Sequence, residues 1–205
     1  MKLPHWILTV ILSGASLLHA AQPAEFTFML VGYCRAGNAK DDPNALGGYG
    51  GSDNLPKPLK FAIRSPDLYL EIADTPNVVF AEKYTGLNVR LINGGKKTAI
   101  FPASDSRISL VQEAQDTDGT WKEIEYLPSS WCGNSYHNVY LQPKHYWEFT
   151  APRYSGPQKT KLRFKLTLAA DHILYSPTYE GGIHPEQFTA QQGRKPTNLM
   201  DPHTE

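Results

Sequence analysis

The chain has 205 residues, with 20 basic and 20 acidic side chains, 40% apolar residues, 16 glycines, 16 prolines and two cysteines. A formally neutral chain offers no broad field for drawing in nucleic acid, and no apolar run reaches the ~20 residues that a membrane-crossing helix needs. The length suits one domain with additional arms, large enough to bury a real core.

Residues 1–20 have the layout of a secretory signal peptide: Lys2, then the apolar run ILTVILSGASLL, then His19 and Ala20. Cleavage is expected after Ala20, with Ala24 as the alternative. Export makes the mature chain secreted or periplasmic, with 19 basic against 20 acidic residues once Lys2 is gone. Two cysteines in an exported chain suggest one disulfide, Cys34 to Cys132, with two free thiols as the alternative. A bridge closing so long a loop stabilises by ~4–5 kcal/mol on the chain-entropy model.

Residues 21–60 read as an N-terminal arm. EFTFMLVGYC is a short apolar run that suits a first strand, and RAGNAKDDPNALGGYGGSDNLPKP is rich in Gly, Pro, Asn and Asp without periodicity, as in a loop or mobile arm. Residues 61–188 read as a β-sandwich domain. LKFAIR and DLYLEIA come first. GLNVRLIN alternates, with Leu87, Val89 and Leu91 on one face, as a strand does. TAIF follows the GGKK turn. SRISLVQEA and TWKEIEYL flank QDTDG, whose Asp-Gly pair is a hairpin signal. NVYL, YWEFTAP, TKLRFKLTL and ILYSPTY complete about nine strands at short intervals, the spacing of a sandwich or barrel. The tail, residues 189–205, is polar and broken by prolines, and reads as disordered.

GLNVRLINGGKKTAIF, followed by LQPKHYWEFTAP and TKLRFKLTL, resembles the strand pairs of bacterial immunoglobulin-like domains over about residues 86–179. The resemblance implies an all-β, immunoglobulin-like β-sandwich and no particular activity.

Function is sought in SSWCGNSYHNVYLQPKHYWEF. Eight of the chain's 23 aromatic residues fall within residues 126–154. The period of two points Trp147, Phe149, Val139 and Leu141 inward and Tyr140 and Tyr146 outward. Trp131 and Tyr136 lie on a turn-like segment, where aromatic planes bind ligands more often than in strands. Trp131, Asn134, Tyr136 and His137, with Tyr154 beside them, are therefore the expected ligand contacts: rings that stack, and an amide and imidazole that hydrogen-bond. A Cys132 nucleophile with His137 as base lacks the helix N-terminus that would lower the thiol pKa. His137, His145, His172 and His184 lack zinc-type spacing, and DTDG is a turn rather than a calcium loop. No cofactor or metal is expected. Lys159, Lys161, Arg163 and Lys165 form a basic stripe, expected to be solvated or paired across strands with Glu123 and Glu125. The function expected is an exported, non-catalytic binding module for carbohydrate or protein. A cysteine-dependent hydrolase and a purely structural envelope protein are the alternatives.

Overall fold

The structure is a computed structural model and describes residues 20–128, 133–169 and 171–188. Residues 1–19 of the expected signal peptide (1–20), Trp131, Cys132 and the tail from residue 189 lie outside the described residues.

The alternating segments become strands. In chain order they are β1 (Leu30–Val31), β2 (Lys57–Pro58), β3 (Leu68–Ala73), β4 (Val79–Phe80), β5 (Tyr84–Asn93), β6 (Ala99–Ser104), β7 (Arg107–Ile108) and β8 (Leu110–Gln115). There follow β9 (Trp121–Glu123), β10 (Glu125–Tyr126), β11 (Tyr136–Leu141), β12 (His145–Pro152), β13 (Gln158–Ala169), β14 (His172–Tyr175) and β15 (Tyr179–Ile183). Short 3-10 turns occupy Gly133–Ser135 and Pro185–Phe188. The protein is thus an all-β sandwich.

One layer has the order β2-β12-β5-β3, with β4 on the start of β5. The other combines β11-β6-β7 with β14-β13-β8-β9, and β15 also pairs with β13. Only Ser109 separates β7 from β8, so one run of chain pairs first with β6 and then with β13.

Period-two alternation fills the space between the layers. Leu87, Val89 and Leu91 of β5 and Trp147, Phe149 and Ala151 of β12 are buried in one cluster with Phe101, Val139, Leu141, Phe164 and Leu166 of the opposite layer. Trp147 meets Phe101 edge-on at 5.5 Å. Its indole N–H donates to the Gly37 carbonyl at 3.1 Å, so the arm satisfies a polar group that the core would otherwise strand.

QDTDG forms the expected hairpin between β8 and β9. Gly119 takes φ 86° there, the left-handed region that favours glycine. A second tight turn carries no glycine: Asp105 and Ser106, at φ 48° and 63°, join β6 to β7. Their side chains grip the arm instead, Asp105 Oδ1 accepting from the Gly50 N–H and Ser106 Oγ donating to the Gly50 carbonyl.

Three expectations need correcting. LKFAIR is not a strand. Phe61 instead lies on the outer face of the first layer, 5.3 Å from the Tyr146 ring, with the Arg90 guanidinium 5.0 Å from its centre. Only Leu30–Val31 of EFTFMLVGYC forms a strand, paired in parallel with β10. Glu125 does not meet the basic stripe. TWKEIEYL breaks at Ile124, which is fully buried, and the Glu125 carboxylate that follows is buried too.

The arm packs closely on the domain. Cys34 and Ala36 belong to the main core. Asn38 donates to the Asn138 carbonyl and accepts from the Tyr140 N–H, each at 2.8 Å, and Asp42 accepts from the Asn138 N–H at 2.7 Å. β11 ends its sheet, so these two side chains stand where a neighbouring strand's backbone would.

Candidate functional site

The described part of the turn-like segment, GNSYH, leads from a 3-10 turn into His137. Asn134 is exposed in the 3-10 turn, and Tyr136 opens β11 half-buried. His137 is 6% exposed and stacks on Tyr49 of the arm, ring centres 3.7 Å apart. Its Nδ1 lies 3.2 Å from the Ser135 carbonyl and its Nε2 lies 3.4 Å from Ser106 Oγ. Burial lowers its pKa below the usual imidazole value, opposed by the Ser135 carbonyl and by Asp42 and Asp105. Tyr49 thus covers one ring face, Nδ1 faces the Ser135 carbonyl and Nε2 lies beside the Ser106 hydroxyl.

Tyr154 is not at the surface beside this segment. It is 2% exposed, and its hydroxyl donates to Glu125 Oε1 at 2.9 Å. Tyr33 donates to the same oxygen at 2.7 Å, as does Gln112 Nε2 at 3.1 Å, while the Gln112 backbone N–H reaches Oε2 at 2.8 Å. Tyr179 closes the network by donating to Gln112 Oε1. Burial pushes the Glu125 carboxyl up to about 7, against the pull of its four donors. The node ties the arm (Tyr33) to β8, β10, the segment after β12, and β15. Cys34, buried, sits nearby, and burial and Glu125 raise its pKa as a thiol. Glu125, Gln112 and Tyr154 are buried, and the node's members are bonded to one another across these elements, which suits a structural role.

Among the described residues, a site with room for a ligand lies on the outer face of the second layer. A groove of about 390 Å³ is lined by Met29, Glu113, Trp121, Glu123, Lys165 and Phe188, with Lys122 beside them. Small-molecule sites run to ~300–1,000 Å³. The strand period explains the lining: Glu113 lies opposite Glu123 across β8 and β9, and Lys165 follows Arg163 by two along β13. Lys165 Nζ is 2.8 Å from Glu123 and 3.5 Å from Glu113. Arg163 pairs with Glu113 at 2.8 Å, and its guanidinium lies 4.1 Å from the Trp121 ring centre and 3.7 Å from that of Tyr175. Arginine held between two aromatic faces is a stiff support, because cation–π attraction and a carboxylate fix the same planar group.

In comparisons with known proteins, the chain matches no family model, no curated protein and no solved structure.

Sequence reasoning found the stripe that supplies Arg163 and Lys165 and its pairing with Glu123, but missed Trp121 and Phe188. Trp121 follows the DTDG hairpin directly, at the start of an edge strand, and that position was its signal. Phe188 is brought in by the turn after β15, for which the sequence has no periodic cue. Among the described residues, no group of three or more His, Cys, Asp or Glu side chains could hold a metal ion.

Proposed function

We propose that this chain is an exported, non-catalytic binding module of immunoglobulin-like architecture, and that its ligand sits in the Trp121 groove. The observation that carries the reading is the groove itself: a concave outer face in which an indole, supported from behind by Arg163, stands beside hydrogen-bonding carboxylates and an ammonium. A binding site needs preorganised groups that do not collapse when the ligand leaves. The ion pairs of Lys165 with Glu113 and Glu123 supply that stiffness.

The engagement of His137 supports the non-catalytic reading. A base for Cys132 would need a reachable imidazole nitrogen, and His137 is 6% exposed, with Tyr49 over one ring face and its nitrogens beside Ser135 and Ser106. Export follows from the leader composition, and the Cys34–Cys132 bridge remains part of the proposal on the same ground.

NMR chemical-shift mapping with a panel of oligosaccharides and peptides tests the site. Ligand-dependent shifts are expected on β8, β9, β13 and Phe188. Shifts confined to other surfaces, or none with any panel member, would overturn the assignment.

A further inference from the structure

We infer that the Trp121 groove takes a neutral polyhydroxylated ligand, a carbohydrate free of carboxylate, sulfate and amino groups; this rests on the binding-module reading above. The argument begins with charge. Lys165 is shared by Glu113 and Glu123, Arg163 pairs with Glu113, and Lys122 pairs with Asp116 at 2.5 Å. Each of the three cations has a carboxylate partner, and each of the three carboxylates a cation. An anionic ligand would draw Lys165 away and leave Glu113, 4% exposed, with a weakened partner set. Glu113 would keep Arg163 at 2.8 Å, but its second oxygen would lose its only cation, and weakening the partners of a buried carboxylate is unfavourable. A cationic ligand would have to displace Lys165 from the same acids.

Neutral hydroxyls make no such demand. An ionised carboxylate accepts several hydrogen bonds and an ammonium donates three, so paired groups retain capacity for a polyol. Such bonds are charge-assisted and stronger than those between neutral groups. The Glu123 and Lys122 side chains are each 43% exposed, which leaves polar atoms at the rim for a ligand.

The apolar surface fits the same chemistry. A pyranose ring presents a C–H face and an edge of hydroxyls. Arg163 lies over the Trp121 ring, and the part of the indole that lines the groove offers apolar surface for the sugar's C–H groups, with Phe188 and Met29 completing the apolar lining.

A protein partner fits less well. A stable interface buries ~800 Å² per partner around an apolar centre. The exposed large apolar residues, among them Phe28, Leu46, Leu55 and Ile100, do not line the groove.

The test is calorimetric titration of the full chain with three sets of probes: neutral gluco-, xylo- and manno-oligosaccharides, oligouronates, and glucosamine oligomers. At least one neutral set should bind, with an affinity almost unchanged between low and high salt. Trp121→Ala should weaken it by at least about tenfold, and Trp121→Phe by less. Thermal melting checks that both variants fold. If Trp121→Ala does not, the shift map on the unsubstituted protein replaces it, and shifts away from β9 and β13 count against the proposal. Tighter, salt-sensitive binding of uronates or glucosamines in the groove would overturn the ligand class while leaving the site. Peptide binding in the groove without sugar binding would do the same. No binding by any probe would overturn both.

Discussion

Glu125→Gln is the substitution that most directly probes the buried node. The Glu125 carboxyl titrates at about 7 in the fold against 4.5 for the ordinary group. The folded state therefore holds a proton that the unfolded chain has already released between those values. The resulting stability is fully present below pH 4.5 and is lost as pH rises through about 7. At 1.36 kcal/mol per pKa unit, about 2–3 kcal/mol of the unfolding free energy should disappear between pH 5 and pH 8. With a urea slope of about 2 kcal/mol/M, the midpoint should fall by about 1 M over that range. Glutamine is neutral throughout, so the variant should lack this component, even though its amide N–H₂ would meet the Gln112 backbone N–H and lower stability by a constant amount. The assay is urea unfolding of both proteins at several pH values. The informative quantity is the pH dependence of their difference, not its offset. A difference that stays constant from pH 5 to pH 8 would refute the reasoning. A wild type that gains on the variant as pH rises would show that the four donors outweigh burial.

Three further outcomes are expected. Asn38→Ala removes both hydrogen bonds to the β11 edge and should cost about 1–2 kcal/mol, with faster hydrogen exchange at the Tyr140 amide; an unchanged exchange rate would deny the edge-capping role. Trp147→Phe leaves the Gly37 carbonyl unpaired and a void beside Phe101, and should cost about 2–4 kcal/mol in the same unfolding assay. Cys34 should resist alkylation in the native protein and react once the chain is unfolded under reducing conditions; rapid native labelling would contradict its burial in the core.

The sandwich was legible because its strands alternate. In β5, β12 and β13 the apolar residues fall every second position, and each of Leu87, Val89, Leu91, Trp147, Phe149, Leu162, Phe164 and Leu166 is buried as that period requires. Period-two reasoning fails where a strand breaks. Ile124 interrupts the run between β9 and β10, so that adjacent residues, Ile124 and Glu125, are both buried and the face assignment of Glu125 inverts. It also has nothing to say about segments that pack without a period. The arm contributes Cys34 and Ala36 to the core and Tyr49 to the His137 stack through irregular chain, and its composition of Gly, Asn and Asp gave only a loop. The groove was half legible for the same reason: Arg163, Lys165 and Glu123 follow from strand pairing, whereas Phe188 arrives by a tertiary contact. Tyr154, expected beside the ligand contacts, is instead buried, and that depends on the distant partner Glu125, to which its hydroxyl donates.

The two side chains that finish the outer margin of β11 also set a practical limit on how the protein can be shortened. A recombinant version begun after Asp42, chosen because the preceding stretch looks dispensable by composition, would expose the amide and carbonyl of Asn138 and the amide of Tyr140 to any neighbour. Two such shortened molecules would each offer the other a ready place in a shared ladder, and self-association in the test tube would then report the trimming rather than the native protein.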